Sequence, residues 1–131
     1  MERLSNQEFN EKMRERTKQF ALQVIVLSDK FPNKESARVI NRQLLRSATS
    51  VAANFRAACR GRSKAEFYSK LCIVVEEADE TQFWLEMLLD SKLMVNMHPE
   101  IIKLISEISE ILAIVTSIKN KLYQNNETVK K

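Results

Sequence analysis

Five arginines, Arg38, Arg42, Arg46, Arg56 and Arg60, recur along one stretch of the chain, and Arg62 and Lys64 follow directly. Guanidinium groups pair with phosphate oxygens in a bidentate fork, so a row of them suits a nucleic-acid backbone. A solvated helix face explains the same row, since exposed ion pairs contribute little. Aromatic residues are sparse around it. Any nucleic-acid contact is therefore expected with backbone or shape and not with base identity.

Other reactive side chains are few. The run Glu76-Glu77-Ala78-Asp79-Glu80 is acidic, but carboxylate bundles that bind two irons pair such acids with Glu-x-x-His motifs. His98 is the only histidine, and no glutamate precedes it by three. Cys59 and Cys72 lack metal-ligand spacing and read as free thiols in a reducing compartment. Ser47 and Ser50 have no histidine near them in a bundle, and no glycine-rich phosphate loop exists. No catalytic residue, metal, cofactor or small-molecule substrate is expected.

The elements that carry these residues are read from their stops. Ser5 and Glu8 form a capping box. Phe9, Met13, Phe20, Val24, Leu27 and Phe31 then recur at helical spacing until Pro32. A second helix ends at Gly61, the only glycine, taken as a C-terminal stop. Ser63 and Glu66 form another capping box, and Pro99 suits a first helical turn. The predicted helices span about 6–30, 34–60, 64–94 and 99–124, with 125–131 a frayed tail. Short connections between amphipathic helices predict one domain: an all-α, antiparallel, up-down-up-down four-helix bundle.

On a helical wheel, Ala37, Ile40, Leu44, Ala48, Val51, Phe55 and Cys59 make the core stripe of the second helix. Ser47, Ser50, Asn54 and Ala57 line one flank, and the arginines fall roughly opposite. The small flank fits either tight packing within the chain or a subunit contact. The third helix carries apolar residues on more than one side. Phe67, Leu71, Val74, Ala78, Leu85 and Leu89 suffice for a core. Cys72, Phe83, Trp84 and Met87 lie elsewhere, among Glu76 and Glu80. Such a surplus predicts self-association through Ser50, Asn54, Cys72, Glu76, Glu80, Phe83, Trp84 and Met87. Acids of the third helix could then meet arginines of a neighbouring subunit.

The 131 residues are 44% hydrophobic and 29% charged, with a net charge of +4. That length supports a core without staples. The charge permits an anionic partner without requiring one. No apolar run approaches the ~20 residues of a membrane span, and no leader pattern opens the chain. A cytoplasmic protein is expected.

The stretch Gln43 to Leu88 resembles the small four-helix-bundle proteins of the 23S rRNA-intervening-sequence family. Gln43, Arg46, Ser50-Val51-Ala52-Ala53-Asn54, the turn Gly61-Arg62-Ser63 and Phe67 carry the likeness, together with the glutamate-containing third helix. Many members have a glutamate three residues after the asparagine, where this chain has Ala57. Many have a Gly-Ser pair where this chain has Glu76-Glu77. The resemblance implies a ring-shaped homopentamer, and some members are encoded within bacterial ribosomal RNA genes. A related branch, the accessory variability determinants of diversity-generating retroelements, is basic and binds nucleic acid and a reverse transcriptase. The implied partners are the chain itself and RNA or DNA. A protein partner is the alternative, with the arginines used in subunit salt bridges.

Overall fold

A computed structural model describes the backbone of residues 2–130 and the side chains of residues 6–125. Four helices follow one another: α1 (Glu2–Ser28), α2 (Glu35–Cys59), α3 (Lys64–Ser91) and α4 (His98–Lys130), with a 3-10 turn at Val95–Met97 before α4. No strand occurs among the described residues.

Cross-helix contacts fix the direction of each neighbour. Asn10 of α1 meets Cys59 near the end of α2. Arg46 of α2 reaches Glu77 and Glu80 of α3. Tyr68, near the start of α3, stacks on Tyr123 of α4 with centroids 6.4 Å apart. Arg16 of α1 binds Glu107 of α4, while Leu27 shares a cleft with Leu104 and Met97. Every neighbouring pair is therefore antiparallel, in the order α1, α2, α3, α4 around the bundle. The α2–α3 contact is the most extensive, and α1 and α4 meet only sparsely. That last seam is held by Arg16, whose guanidinium grips Glu107 at 2.7 and 2.8 Å and reaches Glu110 at 3.2 Å.

Inside, the stripes meet: Phe20 and Val24, Leu44 and Phe55, Leu71 and Leu85, Ile101 and Ile111 are sealed from solvent. Three hydroxyls share this interior. Thr17, Ser47 and Thr81 satisfy themselves by donating to the carbonyls of Arg14, Leu44 and Glu77 in their own helices. This bond needs no partner outside the helix, so it admits a polar residue to a dry core.

Several boundaries and faces differ from the sequence reading. Helix α1 already runs from Glu2, which puts Ser5 inside it; the Ser5 half of the capping box lies outside the described side chains. Helix α4 continues to Lys130 where a frayed tail was expected, because no glycine or proline follows Pro99 to stop it. Ser47 is buried and does not flank the core, and Ala58 takes the last core position of α2, leaving Cys59 half-buried at the edge. Gly61 does not adopt a left-handed backbone. Its requirement is space: a Cβ there would stand 3.1 Å from the Ala58 carbonyl oxygen and 3.3 Å from the Phe67 amide nitrogen. The left-handed cap occurs instead at Lys92, with φ 60°.

The second capping box forms with a shift. Ser63 Oγ accepts from the Glu66 amide at 3.1 Å. Glu66 reaches back to the Arg62 amide, at 2.6 Å, one residue beyond the cap.

These two turns make opposite predictions. Gly61→Ala should destabilise by about 1–2 kcal/mol, because backbone atoms must yield to the added methyl. Lys92→Gly should stabilise by about 0.5–1 kcal/mol, because glycine adopts the left-handed conformation without penalty. Urea midpoints at unchanged m-values check both.

Candidate nucleic-acid interface

The arginines of α2 fall within about 80° of the helical wheel: a four-residue step turns a helix by 400°, so Arg38, Arg42 and Arg46 precess by 40° each toward α3. The ten residues from Arg46 to Arg56 bring Arg56 back to the angle of Arg38, and Arg60 to that of Arg42. The contacts follow this rotation. Arg46 reaches Glu77 at 3.3 Å and also pairs with Glu80, while its Nε donates to Gln43. Glu80 in turn accepts from the Trp84 indole at 3.3 Å. Arg38 is held at the other end of the helix by Glu35 at 2.9 Å and the Asn33 amide oxygen at 2.6 Å. Among the described residues, Arg42, Arg56, Arg60, Arg62 and Lys64 are exposed and in no ion pair.

Arg56 and Arg60 line an open groove of about 570 Å³ between α1 and α2. Its floor is small: Ala21, Thr49, Ala52 and Ala53. Its opposite wall carries Arg14 and Lys18 of α1. The depression continues past Cys59, and the turn beyond it presents Arg62, Lys64 and Phe67. Acids are present too. Glu11 pairs with Arg14 at 3.2 Å, and Glu15 accepts from Gln19. The groove thus holds two of the seven expected cations, Arg56 and Arg60; Arg62 and Lys64 stand on the turn beyond it, and Arg38, Arg42 and Arg46 lie outside it. Arg14 and Lys18 were not singled out from sequence. Their i,i+4 spacing was visible, but which flank of α1 faces α2 was not.

The expected assembly residues also divide. Asn54 donates to the carbonyl and the hydroxyl of Ser50, at 3.0 and 2.9 Å, so both are satisfied within α2. Glu80 is engaged by Arg46, and Trp84 is half-buried against the core. Cys72 is half-buried, and Glu76, Phe83 and Met87 are exposed on α3. Phe83 sets its ring edge-on to Trp84, 4.9 Å between centroids. His98 opens α4 with its Nε2 buried and unpaired. The Cys59 thiol is pushed up from its ordinary value by burial, which makes it a poor nucleophile.

Fold and surface together describe a small helical bundle with a basic groove along one edge. The sequence matches the family described as 23S rRNA-intervening sequence protein over residues 9–117, and the chain belongs to that family. It is also similar to a solved structure, a protein with unknown function from the S23 ribosomal protein family of Bacteroides thetaiotaomicron VPI-5482. The two are 30% identical with a TM-score of 0.76, over 85% of this chain and 97% of the other. No curated protein matches. No described helix is long and apolar enough to cross a membrane.

The Arg46–Glu80 pair has a pH signature. The hydrogen bond from Arg46 holds the Glu80 carboxyl below the ordinary carboxylate value of 4.5, against an opposing push from burial. A depressed folded value stabilises above the unfolded one and is lost as pH falls through it. Arg46→Met should therefore cost about 0.5–1 kcal/mol at pH 7, the range of a partly exposed pair. The difference from the unmodified chain should shrink at pH 3.5, as read from urea midpoints at both pH values.

Proposed function

We propose that the chain is a non-enzymatic, cytoplasmic, homo-oligomeric bundle, pentameric in assembly, that binds the phosphate backbone of RNA or DNA along the α1–α2 groove. The observation that carries this reading is the pairing of Arg56 and Arg60 with Arg14 and Lys18 across a floor of small side chains. Arginines that face an acid across a helix contact are already neutralised. Glu15 lines the groove with Arg56 and Arg60, but among the described residues neither arginine is in an ion pair, so both remain free to replace condensed counterions on a phosphate chain. The small floor lets a backbone approach the guanidinium groups closely. Arg62, Lys64 and Arg42 extend the cationic surface beyond the groove. A family named for sequences that intervene in 23S rRNA is consistent with a nucleic-acid partner.

A second reading has its own support. Arg38 and Arg46 are already committed to salt bridges. If the remaining arginines are likewise used against acids of neighbouring subunits, the assembly is an adaptor for a protein partner.

Fluorescence anisotropy with a labelled RNA separates the two. Four cations give a log–log salt slope near −3.6, so affinity should fall about a hundred-fold between 50 and 200 mM salt. Arg56→Glu/Arg60→Glu should weaken binding at least ten-fold and reduce the slope by about two, with the mass in solution unchanged. Arg38→Ala should leave binding as it was. No binding at low salt, or loss of the assembly in Arg56→Glu/Arg60→Glu, would favour the adaptor.

A further inference from the structure

Two apolar patches remain exposed on α1 and α3, helices that share no extensive contact. On α1, Leu22, Ile25 and Val26 are 43, 41 and 58% exposed. On α3, Phe83 and Met87 are 49 and 42% exposed. Because α1 packs on α2 and α4, and α3 packs on the same two, α1 and α3 occupy opposite corners. Their outward faces point in opposite directions. Both patches lie in the C-terminal half of their helices. In an antiparallel bundle that is one and the same half, the end that holds the α1–α2 and α3–α4 connections.

Charge separates the two patches further. The α3 patch is bordered by Glu76, Asp79, Glu86 and Asp90, all exposed. The α1 patch is bordered by Lys18, by Lys30, by Lys103 of α4 and by Arg42, exposed on the adjoining α2; its neighbouring acids are Asp29, Glu15 beside Leu22 and Glu100 beside Val26. An apolar centre with a mixed, net cationic border on one side thus faces, in the next molecule, an apolar centre with an anionic border.

We infer that the α1 patch of one copy docks onto the α3 patch of the next, in a head-to-tail contact. This rests on the self-association proposed above and specifies its two faces. Unlike patches on opposite sides cannot satisfy one another in a two-fold dimer, whereas they can in a heterologous chain of copies. Their shared half of the bundle keeps the copies side by side, which favours closure into a ring over a steep helical filament. It also leaves Arg56, Arg60, Arg62 and Lys64, in the other half, clear of the contact, while Lys18 and Leu22 stand where the groove meets it. The basic grooves of all subunits would then gather toward one rim, where several weak phosphate contacts act together.

Disulfide trapping tests the faces. Val26→Cys and Met87→Cys are placed in one chain, with Cys59→Ser and Cys72→Ser. The two new thiols lie on opposite sides of one bundle and cannot pair within it. After mild oxidation, the double-cysteine chain should run as a ladder of covalent oligomers on a non-reducing gel. Each single-cysteine chain should stay at monomer mass. Phe83→Glu provides a second check: it should reduce the light-scattering mass to that of a monomer with helical circular dichroism retained. A covalent dimer from either single-cysteine chain would show a like-to-like contact and overturn the inference. So would the absence of a ladder, or an unchanged mass in Phe83→Glu, while the unmodified chain remains an assembly; self-association would then stand on other faces. A monomeric mass for the unmodified chain would remove the self-association itself.

Discussion

The α2–α3 hairpin is the contact on which the other features of this bundle depend. Its helices share the largest interface, and its turn is closed by the one residue without a side chain. Gly61 lets both the Ala58 carbonyl and the Phe67 amide stand where they would crowd a Cβ. That close approach aligns the apolar stripe of α2, from Ala37 to Ala58, with the stripe of α3, from Leu71 to Leu88. The same alignment sets Arg46 opposite Glu77 and Glu80. Helices α1 and α4 then add to the two outer flanks and meet sparsely, at Arg16 with its two glutamates and at the cleft shared by Leu27 and Leu104.

Charge is sorted by this packing. A cation that falls at a helix–helix seam, such as Arg46 or Arg16, finds carboxylates on the facing helix and is spent on the bundle. Arg56 and Arg60, on the α1 side of α2, line a groove with alanines, a threonine, Arg14, Glu15 and Lys18, and enter no ion pair among the described residues.

Much of the fold could be read from residue order. Pro32, the Gly61-Arg62-Ser63 turn and Pro99 punctuate the chain, and between them the apolar residues keep a 3.6-residue period. The core of α2 was legible almost residue by residue. The errors came where a local cue competes with its surroundings. Ser47 looks like a flank residue by type, yet its hydroxyl bonds back to Leu44 and the side chain is buried. Cys59, at the end of α2, lost the last core position to Ala58, which is buried one residue earlier. The tail of α4 lacked any stop signal and stayed helical.

The site was legible by composition and not by arrangement. Sequence alone established that the chain is rich in arginine, that these arginines avoid the core, and that α3 holds more apolar surface than one stripe can bury. Helical periodicity is a property of each segment, so it survives without knowledge of neighbours. Tertiary structure decided which arginines are neutralised, that Arg14 and Lys18 complete the groove, and that the two apolar patches face opposite ways. Those outcomes depend on which flank of each helix meets which neighbour. That choice is made by packing between segments far apart in sequence, and no single segment carries it.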